Sequence, residues 1–265
     1  MEALDEAVAH LRTQRAGFLV VVTGAGISLA SGIPTFRGSD PDAVWSKDVT
    51  ELGTYRYFRE DPAGSWAWYL RRFEGIEGKR PNVGHEALVE LERVWEGEFL
   101  LVTQNVDTLH DQAGSEALVE VHGRADRVRC ASRGCSRAEP SGSIPREEVD
   151  IAPFKADPVA SNVPTCSECG DFLRQHVLWF DEYYQAHDDY QWDRVVDAAE
   201  RADLVLLIGT SCSVGVTELI LRNTLVRGKP AVLLDPGVSP PYPLVHVSES
   251  AETALPLLVG RLQGG

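Results

Sequence analysis

Four of the five cysteines stand in two close pairs: Cys130 and Cys135 with four residues between them, Cys166 and Cys169 with two. Each pair can form a knuckle that presents two thiolates to one tetrahedral zinc ion. Paired spacing in a loop-rich, Gly-containing stretch favours a single zinc site over four unrelated thiols. Four protein thiolates leave no open coordination position, so the expected zinc is structural rather than catalytic. Five arginines between residues 124 and 137 can offset the negative charge of such a site. No basic or aromatic stripe extends them, so nucleic-acid binding is not expected. Cys212 has no partner in sequence and reads as a small packing residue.

A second feature is Gly24-Ala25-Gly26, directly after the apolar run FLVVV (18–22). Glycines there let a backbone approach a diphosphate, and a following helix N-terminus supplies donors and positive dipole. The dinucleotide fingerprint is incomplete: Leu29 stands where a third Gly would fall, and no acidic residue clearly ends a second strand about 20 residues on. On its own the loop makes nucleotide binding plausible and no more.

These residues need elements to hold them. The chain has 265 residues, 43% hydrophobic and 25% charged, the composition of an ordinary globular protein. Its net charge of −15 argues against a general electrostatic grip on nucleic acid. No apolar run approaches the roughly 18 residues of a membrane span. The N-terminus is acidic and amphipathic, unlike a secretory signal, so a cytoplasmic location is expected.

Apolar spacing predicts helices over 2–15, 85–97, 191–202 and 217–227, with a last one after Ser250. Short apolar strands are expected at 18–22, 99–103, 204–209 and 231–235. This alternation implies an α/β fold, a parallel sheet with helices on both faces. Residues 39–80 read as a helical insertion and 125–174 as a zinc-binding insertion. Segments 1–38, 81–124 and 175–265 then form the main domain.

The surrounding residues resemble the sirtuins, the NAD-dependent protein-lysine deacylases. Gly24-Ala25-Gly26-Ile27-Ser28 and Ser31-Gly32-Ile33-Pro34-Thr35-Phe36-Arg37-Gly38 resemble their first motif. Thr103-Gln104-Asn105-Val106-Asp107-Thr108-Leu109-His110 resembles the second, and Val121-His122-Gly123 the catalytic histidine motif. Val177-Leu178-Trp179-Phe180 resembles the peptide-binding segment, and Gly209-Thr210-Ser211 the ribose-contacting loop. The matches run in family order over nearly the whole chain. The resemblance implies a Rossmann-like domain with a small zinc-binding domain inserted.

It also implies a chemistry. The acyl oxygen of a modified lysine attacks the ribose of NAD as nicotinamide leaves. His122 is then the general base that activates a ribose hydroxyl, a task its ordinary pKa suits. Asn105 and Gln104 would hold ribose hydroxyls or a water. Asp107, Val106 and Ile33 would line the nicotinamide pocket, Asp107 also serving as a helix cap. Phe36 would cover the reacting face and Arg37 meet a phosphate. Ala25, Ser28, Ser211 and Asp235 are further NAD contacts. The expected partners are acylated lysine side chains of proteins, with no membrane.

Tyr69 and Arg72 stand three apart, so on a helix they share a face. They resemble the Tyr-x-x-Arg pattern of sirtuins that prefer succinyl-, malonyl- or glutaryl-lysine. A carboxylate entering an apolar tunnel needs such a partner. Gly53 could leave room for the longer chain. The expected function is a desuccinylase or demalonylase, possibly also a deacetylase. The alternatives are a deacetylase without acidic preference, a mono-ADP-ribosyltransferase and a non-catalytic NAD-sensing module. Four positions depart from the family pattern: Thr35 for Asp, Gln175 for Pro, Asp181 for Gly and Asp235 for Asn. Asp181 is expected to alter peptide affinity by charge.

Overall fold

A computed structural model describes residues 2–34, 48–212, 214–237 and 241–264. Helix α1 (Glu2–Thr13) leads to strand β1 (Leu19–Thr23) and a 3-10 helix, Ala25–Ser31. Three helices follow: α2 (Asp48–Leu52), α3 (Tyr55–Glu60) and α4 (Pro62–Glu74). Next come α5 (Val83–Val94), β2 (Phe99–Thr103), α6 (Leu109–Ala113) and β3 (Leu118–Glu120). The zinc-type segment contributes β4 (Gly123–Cys130), β5 (Ile144–Pro145), α7 (Ala152–Ala156) and β6 (Leu173–Val177). The chain closes with α8 (Trp192–Arg201), β7 (Leu204–Ile208), α9 (Gly215–Val226), β8 (Ala231–Leu234), β9 (Val245–Val247) and α10 (Ala251–Gln263).

Six strands form one parallel sheet in the order β3-β2-β1-β7-β8-β9. Strand side chains alternate faces, and both faces of this sheet are covered. Leu19 and Val21 pack with Leu11, Leu88 and Leu255 from α1, α5 and α10. Val20 and Val22 point the other way, toward Val195 and Ile220 of α8 and α9. A strand buried on both faces must be apolar at every position, which is why FLVVV carries no alternation. Cys212 packs into the second of these layers.

The four apolar runs expected as strands form β1, β2, β7 and β8, whereas β4 and β6, whose sequences GRADRVRC and LRQHV are broken by charged and polar residues, were not anticipated. β3 and β9, three residues each, were not anticipated; runs that short lack a period to read. A second sheet, β5-β4-β6, is antiparallel. It starts at Gly123 and ends at Val177, so it reaches slightly beyond residues 125–174 on both sides.

The helical insertion is fixed by its caps. Thr54 accepts from Tyr57 N, and Asp61 accepts from Gly64 N with Pro62 at the first helical position. Among the described residues no helix is long and apolar enough to cross a membrane.

Candidate active site and metal centre

Most of the candidate nucleotide residues among the described ones follow the carboxyl ends of parallel strands. Gly24 to Ser28 follow β1, Gln104 to Asp107 follow β2, and His122 follows β3. Gly209 to Ser211 follow β7 and Asp235 follows β8. The chain runs outward from β1 to β2 and β3, then crosses to β7 on the other side of β1. That reversal opens a crevice at the β1/β7 ends, where sheets of this kind bind ligands. The sheet topology therefore fits a dinucleotide, with candidate residues following five strands at their carboxyl ends.

The Gly24-Ala25-Gly26 loop has a backbone task that its sequence reading did not show. Gly24 N donates to Ile208 O and Gly26 N to Gly209 O, both at 3.0 Å. A Cβ on Gly26 would lie 2.5 Å from the Gly209 Cα, and Gly209 itself has φ +56°. These glycines are demanded by two loops crossing backbone to backbone. The element after them is a 3-10 helix that begins at Ala25 with Gly24 as its N-cap.

Under this crossing lies a buried polar web. Asn105 Nδ2 donates to Gly24 O (3.1 Å) and to Ser28 Oγ (3.2 Å). Ser28 donates to Asp107 Oδ2 at 2.7 Å, and Asp107 Oδ1 accepts from Leu109 N at 3.0 Å. Burial raises the Asp107 pKa, and these two bonds oppose it. Asp107 thus anchors Ser28 and the start of α6. Gln104 Nε2 lies 3.2 Å from Thr210 Oγ1, bridging the ends of β2 and β7. Thr23, Thr103 and His110, absent from the sequence-derived site, brace the web from below. His110 Nε2 sits 2.9 Å from the Thr23 hydroxyl, which bonds Thr103 at 2.8 Å. The Thr103 hydroxyl in turn accepts from Asn105 N at 3.1 Å.

His122 Nδ1 lies 2.9 Å from the Gln104 carbonyl oxygen, and Nε2 lies 3.3 Å from the Tyr184 hydroxyl. A carbonyl only accepts, so Nδ1 carries the proton of the neutral ring and Nε2 is an acceptor. Burial lowers the His122 pKa, and the Gln104 bond partly offsets it. A neutral imidazole with a bare nitrogen can take a proton. Ile33 and Val106 are half-buried, and Val106 packs against the third apolar cluster. Ser211 is exposed, and Asp235 Oδ1 accepts from Gly237 N. Phe36 and Arg37 lie outside the described residues.

On the other side of His122 is an aromatic wall. Tyr69 on α4 is buried, its ring 6.2 Å from Trp179 and 5.5 Å from Phe73. Val177 shares this cluster. Arg72, half-buried on the same helix face, sets its guanidinium 4.4 Å from the Trp68 ring centroid. Burial lowers the Arg72 pKa, and interaction with Tyr69 opposes that. Phe180 is 55% exposed. Its N–H donates to Gly53 O, and a Cβ on Gly53 would lie 3.0 Å from the Phe180 ring. Gly53 is thus the seat of Phe180.

Asp181 also has a structural task. Its carboxylate accepts from Tyr55 N (2.7 Å) and Arg56 N (3.1 Å), the first two amides of α3. The charge is held against a helix N-terminus on an exposed residue. Glu182 accepts from Trp179 N at 3.0 Å and from the buried guanidiniums of Arg174 and Arg129. This anchoring was invisible in sequence because its partners lie in a different sheet and a different helix.

The four paired cysteines converge. Cys130 and Cys169 Sγ atoms are 3.4 Å apart, Cys135 and Cys166 Sγ atoms 3.7 Å, and all four lie within 4.8 Å of one another. Zn–S bonds of about 2.3 Å in a tetrahedron set sulfurs roughly 3.8 Å apart. The donor set is therefore that of a structural zinc. Gly134 (φ +87°) and Gly170 (φ +79°) make the turns within the knuckles.

His176, His187 and Asp189 also cluster. There His187 Nε2 donates to Gly142 O, Ser143 donates to Asp189, and the Arg129 guanidinium adds positive charge nearby. Those contacts make it a hydrogen-bonded joint between the small sheet and the segment before α8.

Comparison with known proteins agrees with this geometry. Residues 24–216 match the model of the Sir2 family. An NAD-dependent protein deacylase of Thermus thermophilus is 38% identical over 252 residues, covering 94% of this chain and 90% of the relative. NAD-dependent protein deacylase 1 of Archaeoglobus fulgidus is 37% identical, covering 87% and 86%. A Sir2 homolog–NAD complex superposes with a TM-score of 0.79 at 32% identity, covering 98% of this chain and 94% of the other. A mutant Sir2 homologue bound to ADP-ribose gives 0.81 at 32% identity, covering 98% and 96%.

Proposed function

The chain belongs to the Sir2 family, and from that premise we propose that it is an NAD-dependent protein-lysine deacylase preferring acyl groups that end in a carboxylate. NAD supplies the ADP-ribosyl group that receives the acyl oxygen as nicotinamide leaves. Gln104, Asn105, Thr210, Ser211 and Asp235, which follow β2, β7 and β8, would hold it. Val106, Ile33 and Asp107 stand on the nicotinamide side. His122 accepts the proton of a ribose hydroxyl at Nε2 while Nδ1 stays bonded to Gln104 O. The Asn105–Ser28–Asp107 web keeps these groups in place, so orientation is set before substrate arrives. Zinc would be held by Cys130, Cys135, Cys166 and Cys169, where it fixes the small sheet.

The acyl preference is carried by one observation: Tyr69 and Arg72 lie on one face of α4, at the apolar wall made with Trp179 and Val177. A guanidinium in such a partly desolvated place favours a carboxylate strongly, because charge-assisted bonds gain where water is excluded. Trp179 and Phe180 would contact the lysine stem and the peptide.

The test is nicotinamide release with matched acetyl-, succinyl- and malonyl-lysine peptides. Arg72→Ala is expected to lower kcat/KM for the acidic acyl groups by roughly 10- to 100-fold, from the ~1.5–3 kcal/mol of a hydrogen bond to a charged group. Acetyl turnover should change little. Acetyl-only turnover indifferent to Arg72 would make the enzyme a deacetylase without acidic preference. Labelled protein in place of free O-acyl-ADP-ribose would favour ADP-ribosyl transfer.

A further inference from the structure

Tyr184 belongs to none of the motifs that resemble the family, yet its hydroxyl lies 3.3 Å from His122 Nε2. It begins a three-residue 3-10 turn, Tyr184–Ala186. Its ring lies 4.2 Å from Trp192, nearly parallel at 13°, at the start of α8. The His122 and Tyr184 rings are themselves stacked, 5.8 Å apart at 23°. Because Nδ1 donates to Gln104 O, the phenol must be the donor to Nε2 of the neutral ring. The imidazole is therefore held at both nitrogens by groups from different elements.

The strap that delivers Tyr184 is anchored along its length. Glu182 is tied to Arg174 and to the Trp179 amide, Asp181 caps α3, and Phe180 N bonds Gly53 O. The contact at His122 is thus linked to the same residues that hold the peptide segment.

Taking His122 as the base, the reading above, we propose that Tyr184 is its positioning residue: the phenol, pinned on Trp192, holds the imidazole with Nε2 as the proton acceptor. In the neutral state the phenol O–H donates to Nε2. When a substrate hydroxyl gives its proton to Nε2, that hydroxyl oxygen keeps the electron pair and the ring becomes imidazolium. The phenol keeps its own proton and turns its oxygen lone pair to accept from Nε2–H. A hydroxyl can do both; a hydrocarbon cannot.

The experiment compares wild type, Tyr184→Phe and His122→Ala in three readouts. These are net deacylation of an acyl-lysine peptide, exchange of labelled nicotinamide into NAD, and the 15N resonances of the His122 ring. Exchange requires only that nicotinamide leave and return, a step before the hydroxyl loses its proton. Tyr184→Phe keeps the ring and its stack. It is expected to lower net turnover about tenfold, the scale of one lost hydrogen bond. Exchange and the KM values for NAD and peptide should hold. The Nε2 resonance should move while the Nδ1–H resonance stays.

Equal falls in both rates would show that Tyr184 serves the fold alone and overturn the proposal. So would a turnover and an Nε2 resonance that do not change. His122→Ala separates the two levels. Turnover that survives it removes the base reading and this proposal with it. Turnover that collapses there while Tyr184→Phe stays silent removes only the proposal.

Discussion

The six-stranded sheet and the three-stranded sheet reach stability by opposite means. β1 in the large sheet is buried at every position, with helices on both faces. Its support is spread over many side chains, each worth ~1.5–3 kcal/mol when fully buried. The small sheet has strands of eight, two and five residues. It packs Val128, Leu173 and Val177 into the third apolar cluster and adds four thiolates and, in the neighbouring register, the Arg174, Arg129 and Glu182 cluster. The large sheet spreads its support over two helical layers; the small sheet concentrates more of its support in a few polar and thiolate contacts. His122 sits at their junction, next to Gly123, whose Cβ would come within 2.2 Å of His176 O. The placement of the catalytic candidate is thus exposed to the less redundant of the two regions.

Stripping the zinc is the most severe way to break this comparison. A structural zinc contributes on the order of 10 kcal/mol to a small module. Chelation, or Cys166→Ser, is expected to abolish turnover and to expose the amides of β4 and β6. Slow amides of β1, β2 and β7 should keep their protection in hydrogen exchange. Loss of protection in both sheets together would mean one cooperative unit.

Next in size is His122→Ala. As a general base it is expected to contribute ~10²–10⁴-fold. Net turnover should fall by that factor while calorimetric NAD affinity stays near wild type, since the crevice is built by other strands.

Acid should act on the large domain through a buried histidine pair, as it should on the small sheet through His176, whose pKa burial likewise lowers to about 4. His85 and His110 are buried beside each other, ring centroids 4.8 Å apart, under α5 and α6. Burial pushes the His85 pKa down to about 4, and His110 moves the same way. In the unfolded chain these groups take protons near pH 6.5, in the folded chain only much lower. Between those values the unfolded state binds more protons, so stability falls as pH falls. The His85 shift alone corresponds to about 3 kcal/mol by pH 4. Urea midpoints measured from pH 7 downward should show that slope, and His85→Phe should flatten it.

The smallest effect sharpens the joint between the regions. Asp181→Gly removes two bonds to the α3 amides and should cost ~1 kcal/mol. The peptide KM should rise while the NAD KM stays. An unchanged peptide KM would separate the helical insertion from the peptide segment.

Much of this was legible because it is local. The FLVVV run, the helix spacing of α5 and α8, and the cysteine pairs are statements about neighbours in sequence. Local pattern also predicted a phosphate-cradling helix after Gly24-Ala25-Gly26. It did not show that the glycines also answer to Gly209, far along the chain. The second task of Asp181, accepting from the first amides of α3, was hidden for the same reason.

The sequence by itself determined the parallel α/β order, the zinc ligands and the motif residues that gather at the strand ends. The first two follow from periodicity and spacing, the motif residues from the resemblance to the sirtuins, and short segments carry all three. Only the tertiary structure decided the tautomer of His122, the use of Asp181 and Glu182 as anchors, and the meeting of Tyr184 with the base. Those depend on distances between residues up to 126 positions apart in the chain, as with Tyr55 and Asp181. Such distances are set by the packing of whole elements, which no short stretch of sequence contains.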